Sequence, residues 1–77
     1  MEFLDNIIGR KGKILTGSHA GNFVLVQDDR ESTGGYLVLI SPDVNFKGQG
    51  FDNWVENIEQ LKQLFSQFEW QIEWFDA

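Results

Sequence analysis

Chemistry in this chain has to come from a short set of side chains. His19 is the one residue whose ordinary titration falls near neutrality, and it follows Ser18. A nucleophile and its base need convergent side chains, whereas sequence neighbours diverge, so Ser18-His19 predicts an exposed turn and no triad. Asp28, Asp29 and Glu31 gather carboxylates in the run DDRESTGG, and hard cations prefer oxygen ligands. The spacing is not that of a calcium loop and Arg30 interrupts it, which predicts a solvated turn and no metal site. Glu56, Glu59 and Glu73 can be paired on paper as acids for glycosidic chemistry. Two of them fall in the first turn of a predicted helix, where the helix dipole already accounts for them. The expectation is a protein with no catalytic residues, no cofactor and no bound metal.

One further string carries a possible binding chemistry. Ile7-Ile-Gly-Arg-Lys-Gly-Lys-Ile-Leu15 resembles the GxxG core of KH domains, where a loop between two helices clamps a nucleic-acid backbone. A KH domain needs a strand and a helix before that loop, and eight residues precede Gly9. Thr16, Gly17 and Gly21 interrupt any helix after it. A basic turn is the expected reading, and RNA binding through this loop ranks last among the functions weighed.

The elements that would position these groups follow from periodicity. Asn53 with Glu56 fits a capping box and predicts a helix starting near residue 53. Trp54, Ile58, Leu61, Phe65 and Phe68, widened by Val55 and Leu64, form its apolar stripe over about four turns. After Phe68 the period becomes two, with Trp70, Ile72 and Trp74 on one face of a closing strand, beneath the helix. Upstream, Asn22–Gln27 and Tyr36–Ile40 predict an antiparallel hairpin around the 28–35 turn. The unbroken apolar run of the second strand predicts cover on both of its faces. Residues 13–16 add a brief strand, residues 43–50 a loop, and residues 1–8 suit either helix or strand. The predicted fold is α+β, a small antiparallel sheet of three to four strands with one main amphipathic helix on one face and a C-terminal strand.

Seventy-seven residues make one domain, with 11 aromatic residues to fill a small core. The absence of cysteine removes disulfides, thiolate catalysis and sulfur-bound zinc, and points to a reducing cytoplasm. No basic leader with an apolar core opens the sequence and no apolar run approaches a membrane span, so a cytoplasmic protein without membrane association is expected. The formal net charge is −6. It is uneven: residues 1–20 hold two carboxylates against three cations, residues 21–77 ten against three. An acidic body repels nucleic acid and steers basic proteins toward it, although such a charge also serves plain solubility.

Three acidic regions result: Asp28, Asp29 and Glu31 at the hairpin tip, Asp52, Glu56 and Glu59 at the helix start, and Glu69, Glu73 and Asp76 near the end. Tyr36, Phe46, Phe51 and Trp54 are interleaved with them. Carboxylates around an aromatic anchor such as Trp54 suit a basic protein, because charge steers encounter while desolvated rings supply affinity. The stretch GGYLVLISPD from Gly34 to Asp43, the helix DNWVENIEQLKQLF and the closing WQIEW resemble the small, acidic, cysteine-free immunity proteins that bacteria encode beside polymorphic or contact-dependent toxins. That resemblance implies a non-enzymatic protein that neutralises a cognate toxin, often a basic nuclease. The expected partner-binding residues are Asp28, Asp29, Glu31, Asp52, Trp54, Glu56, Glu59 and Glu73, with a monomer favoured. The alternative is a structural domain that self-associates through a sheet edge or exposed aromatic residues.

Overall fold

The computed structural model of the protein describes residues 7–47 and 50–75. Among these, five strands form one antiparallel sheet: β1 (Lys11–Thr16), β2 (Phe23–Asp29), β3 (Gly35–Ser41), β4 (Phe51–Val55) and β5 (Gln71–Trp74). Their order is β4-β3-β2-β1-β5. A single helical turn, α1 (Arg30–Thr33), joins β2 to β3, and the main helix, α2 (Ile58–Phe68), carries the chain from β4 at one edge to β5 at the other. The fold is therefore α+β as expected, with one strand more than the upper count.

That additional strand is β4, which occupies residues assigned from the sequence to the end of a loop and the start of the helix. Phe51, Asn53 and Val55 alternate with Asp52 and Trp54, and the whole segment pairs in unbroken register with β3, from Ile40 opposite Phe51 to Tyr36 opposite Val55. Pairing satisfies the amides and carbonyls that β3 would otherwise leave open. The helix accordingly begins later than the Asn53–Glu56 box predicts. Asn57 is the N-cap, its side chain accepting from the Gln60 amide at 2.9 Å, while the Gln60 side chain accepts from the Glu56 amide at 2.8 Å. The same cap spacing recurs four residues on, and the second occurrence is the one used.

Alternation along the strands puts Ile14, Val24, Val26, Tyr36, Val38, Ile40 and Val55 on a single buried face. Helix α2 covers that face. Leu61 is its one fully buried residue, and Ile58, Leu64, Phe65 and Phe68 are half-buried around it. Trp70 and Trp74 lie beneath the helix as predicted, though half-buried, with their rings 5.3 and 6.3 Å from that of Phe65. The end of α2 is tied to the turn between β1 and β2. Ser18 donates its amide to the Phe68 carbonyl, and the Trp70 indole donates to the Ser18 carbonyl at 2.6 Å. Gly17 makes this approach possible. Its φ is +90°, and a Cβ there would run into the backbone of Phe68 and Glu69.

The other face of the sheet is less covered than the sequence suggests. Leu37 and Leu39 of β3 are only half-buried, because α2 packs on the opposite side. Ile7–Gly9 form a turn with Ile7 buried, while the rest of the 1–8 segment, left open between helix and strand, lies outside the described residues, as does Asp76. In the basic string, Lys11 and Gly12 already belong to β1, where Gly12 pairs with Val24 and Trp74. Thus no loop between two helices exists there. His19, expected in an exposed turn, is half-buried with φ +63°, its ring 5.0 Å from Phe51 and 6.0 Å from Phe68.

Candidate protein-binding face

The centre of the candidate site is Trp54. It stands on the face of β4 opposite the core, next to Val55 which points inward, and 48% of its surface is exposed. Its position is fixed from two sides. The indole Nε1 donates to the Thr33 hydroxyl of α1 at 2.8 Å, and Thr33 in turn donates to the Asp29 carbonyl at 3.1 Å. The ring lies against Gly35, where a Cβ would come within 2.7 Å of two indole atoms. A large aromatic surface held rigidly and left in water is the kind of group that anchors an interface at little entropic cost.

Register puts two of the expected carboxylates, Asp29 and Asp52, on its face. Asp29 pairs with Gly35, the residue beneath the indole, and Glu31 shares the single turn of α1 with Thr33. Asp52 lies two residues along β4 on the same face as Trp54, about 7 Å away by strand rise. Glu56 follows β4 and Glu59 sits in the first turn of α2, both exposed. Among the described residues, none of Asp29, Glu31, Asp52, Glu56 and Glu59 is in an ion pair. Glu73 does not belong to the group. It lies on β5, the far edge of the sheet from β4, opposite Lys13 of β1, and its expected role beside the others has no support in the geometry.

Asp28 is present at the tip but engaged. Its carboxylate binds the Arg30 guanidinium in a two-pronged contact, at 2.9 Å to Nε and 2.7 Å to Nη2, and also accepts the Arg30 amide at 3.1 Å. Arg30 also lies over the Tyr36 ring. The Arg30 side-chain bonds, then its amide, hold the Asp28 carboxyl below its ordinary value of 3.8. A depressed carboxylate stabilises the fold above its unfolded value, and that contribution disappears as pH falls through the lower, folded value. We expect an NMR titration of Asp28 to show a midpoint below that measured in an Arg30→Gln variant. Equal midpoints would mean that the contact does not persist in water.

Of the aromatic residues set among the acids, Tyr36 is buried in the core, and Phe51 is the most exposed large apolar residue described, at 59%. Phe46 is half-buried and is delivered to the outer face by a loop that Asp43 organises. The Asp43 carboxylate accepts from the amides of Asn45 and Lys47, its carbonyl accepts from that of Phe46, and its own amide donates to Ser41 Oγ. Phe46 there adopts φ +58°. The sequence sets Phe46 and Phe51 among the acidic residues but does not distinguish their faces, and it holds no signal for Thr33, whose hydroxyl becomes meaningful only when β4 pairs with β3.

Among the described residues no three potential ligands lie close enough to hold a metal ion. No described helix is long and apolar enough to cross a membrane. Compared with protein families, curated proteins and solved structures, the chain has no significant match to any of them.

Proposed function

We propose that the protein is a non-enzymatic binding module, an immunity protein of bacterial cytoplasm, that neutralises a basic toxin domain through the carboxylates near Trp54 on its outer face. The observation that carries this reading is Trp54. It is half-exposed, locked by Thr33 and Gly35, and shares its face with Asp29 and Asp52, neither of which has a compensating ion pair among the described residues. A rigid ring on one face with unpaired carboxylates matches what a basic surface needs: steering from a distance and an apolar anchor on contact. The net charge of −6 adds a long-range field of the same sign.

The test is to mix the protein with the basic domain encoded beside it and follow complex formation by gel filtration and titration calorimetry. A complex is expected, with an association rate that falls as salt rises and an affinity at least about 30-fold lower for Trp54→Ala, the ratio for a hot-spot loss of ~2 kcal/mol. Absence of a complex at low salt, or a complex indifferent to Trp54→Ala, counts against the proposal.

A second reading is favoured by the edge itself. β4 is a terminal strand with no proline, lysine or bulge, and it carries both Phe51 and Trp54 exposed, the features of an edge able to pair with another copy. The like charge of two copies opposes it. Sedimentation over a hundredfold range of concentration separates the readings: a constant monomer removes self-association.

A further inference from the structure

Beside Asp52 the outer face is indented. An open cavity of about 250 Å³ lies between β3, the start of β4 and the 42–47 loop, lined by Leu39, Ile40, Ser41, Phe46, Phe51 and Asp52. We propose that this cavity is the socket for one arginine side chain of the basic partner, an inference that rests on the docking function proposed above and names the chemistry of its central contact.

Three observations point to a guanidinium. Asp52 is the only charged residue lining the cavity among the described residues, and it takes part in no ion pair there. It therefore offers two oxygens to a planar donor that can bind both. Phe46 supplies an aromatic wall, while the Phe51 ring turns toward His19 on the core side; guanidinium, weakly hydrated and flat, is the side-chain cation best suited to lie on a ring while its stem covers apolar surface such as Leu39. Phe46, finally, is held in a left-handed conformation that aromatic residues rarely adopt, and it is kept there by the four hydrogen bonds centred on Asp43. Backbone strain over-determined in this way concentrates where a side chain must stand in a particular place. Phe46 is already engaged by one cation of the chain, the Lys11 ammonium 5.6 Å from its ring centre, but Lys11 does not line the cavity. That contact supports the ring from β1.

The experiment titrates the full chain with N-acetyl-arginine amide and follows backbone amides by two-dimensional NMR, with N-acetyl-citrulline amide as the uncharged isostere. Saturable shifts are expected at residues 39–41, 46 and 50–52, at least tenfold weaker with citrulline. Asp52→Asn, which keeps the shape of an exposed side chain, is expected to weaken arginine about tenfold. Equal responses to arginine and citrulline, or unsaturable shifts spread over Glu31, Glu59 and Glu73, would overturn the socket. The two proposals fail separately. A basic partner that binds wild type and Asp52→Asn alike removes the socket and leaves the docking function. Saturable arginine binding without any protein complex removes the docking function and leaves the guanidinium site.

Discussion

Leu61→Ala is expected to cost about 2–5 kcal/mol of folding stability, the range for emptying a fully buried leucine site. A domain of 77 residues has of the order of 4–12 kcal/mol in total, at the usual ~0.05–0.15 kcal/mol per residue, so the loss takes a large share of it. The reason lies in how α2 is held. The helix links the two edge strands of the sheet, yet Leu61 is its only fully buried side chain, part of one core cluster with Val38 and Ile40 of the buried face. Its other apolar residues lie at the margin and keep part of their surface in water. Truncation therefore opens a cavity at the one point where the helix meets the centre of the core. Urea unfolding followed by far-ultraviolet circular dichroism should show a lower midpoint with an unchanged slope. Leu64→Ala, at a half-buried position on the same helix, should cost less. A loss below 1 kcal/mol for Leu61→Ala would mean that the sheet forms its core without the helix as a cover.

The strands that bury one face by simple alternation were legible in the residues, and those that depend on distant partners were not. β2 and β3 follow from their β-branched content and the turn between them, and β5 from the alternation of Trp70, Ile72 and Trp74. Nothing in residues 71–74 indicates that β1 is their partner, because that pairing joins segments more than fifty residues apart. The segment 51–58 carries two periods at once: Trp54, Val55 and Ile58 fit a helical stripe, while Phe51, Asn53 and Val55 fit a strand. The open edge of β3 decides between them. Local reading of the NWVE cap sees a signal as good as NIEQ, and tertiary pairing selects the second. The acidic residues were legible as a set, but their grouping depends on register. Hence Asp29 and Asp52 share the face of Trp54 at one edge of the sheet while Glu73 is placed on the far edge. The left-handed backbone of Phe46 had no sequence signal beyond the turn-forming Asp43 and Asn45.

Gly35→Ala is expected to disrupt the fold and the binding face together. Gly35 begins β3, buried, and its backbone torsion alone would accept alanine, since its φ is not in the left-handed region. Space is what forbids the change. The added methyl would meet the Val55 carbonyl oxygen on one side and the Trp54 indole at 2.7 Å on the other. The indole can rotate away, at the expense of its bond to Thr33, but the carbonyl belongs to the paired backbone of β4 and yields only if that strand moves. Overpacking of this kind costs about 1–3 kcal/mol. The distribution of the damage is the more telling readout. Hydrogen exchange should accelerate in β4 and at the start of β3 while the β1–β2 pairing keeps its protection, because stability is lost locally before it is lost globally. Trp54 emission, isolated by comparison with a Trp54→Phe background, should shift to the red. Affinity for the basic partner should fall with it, since the anchor is no longer fixed beside Asp29 and Asp52. Unchanged protection of β4 would show that the strand tolerates the methyl group and that Trp54 is held by Thr33 alone.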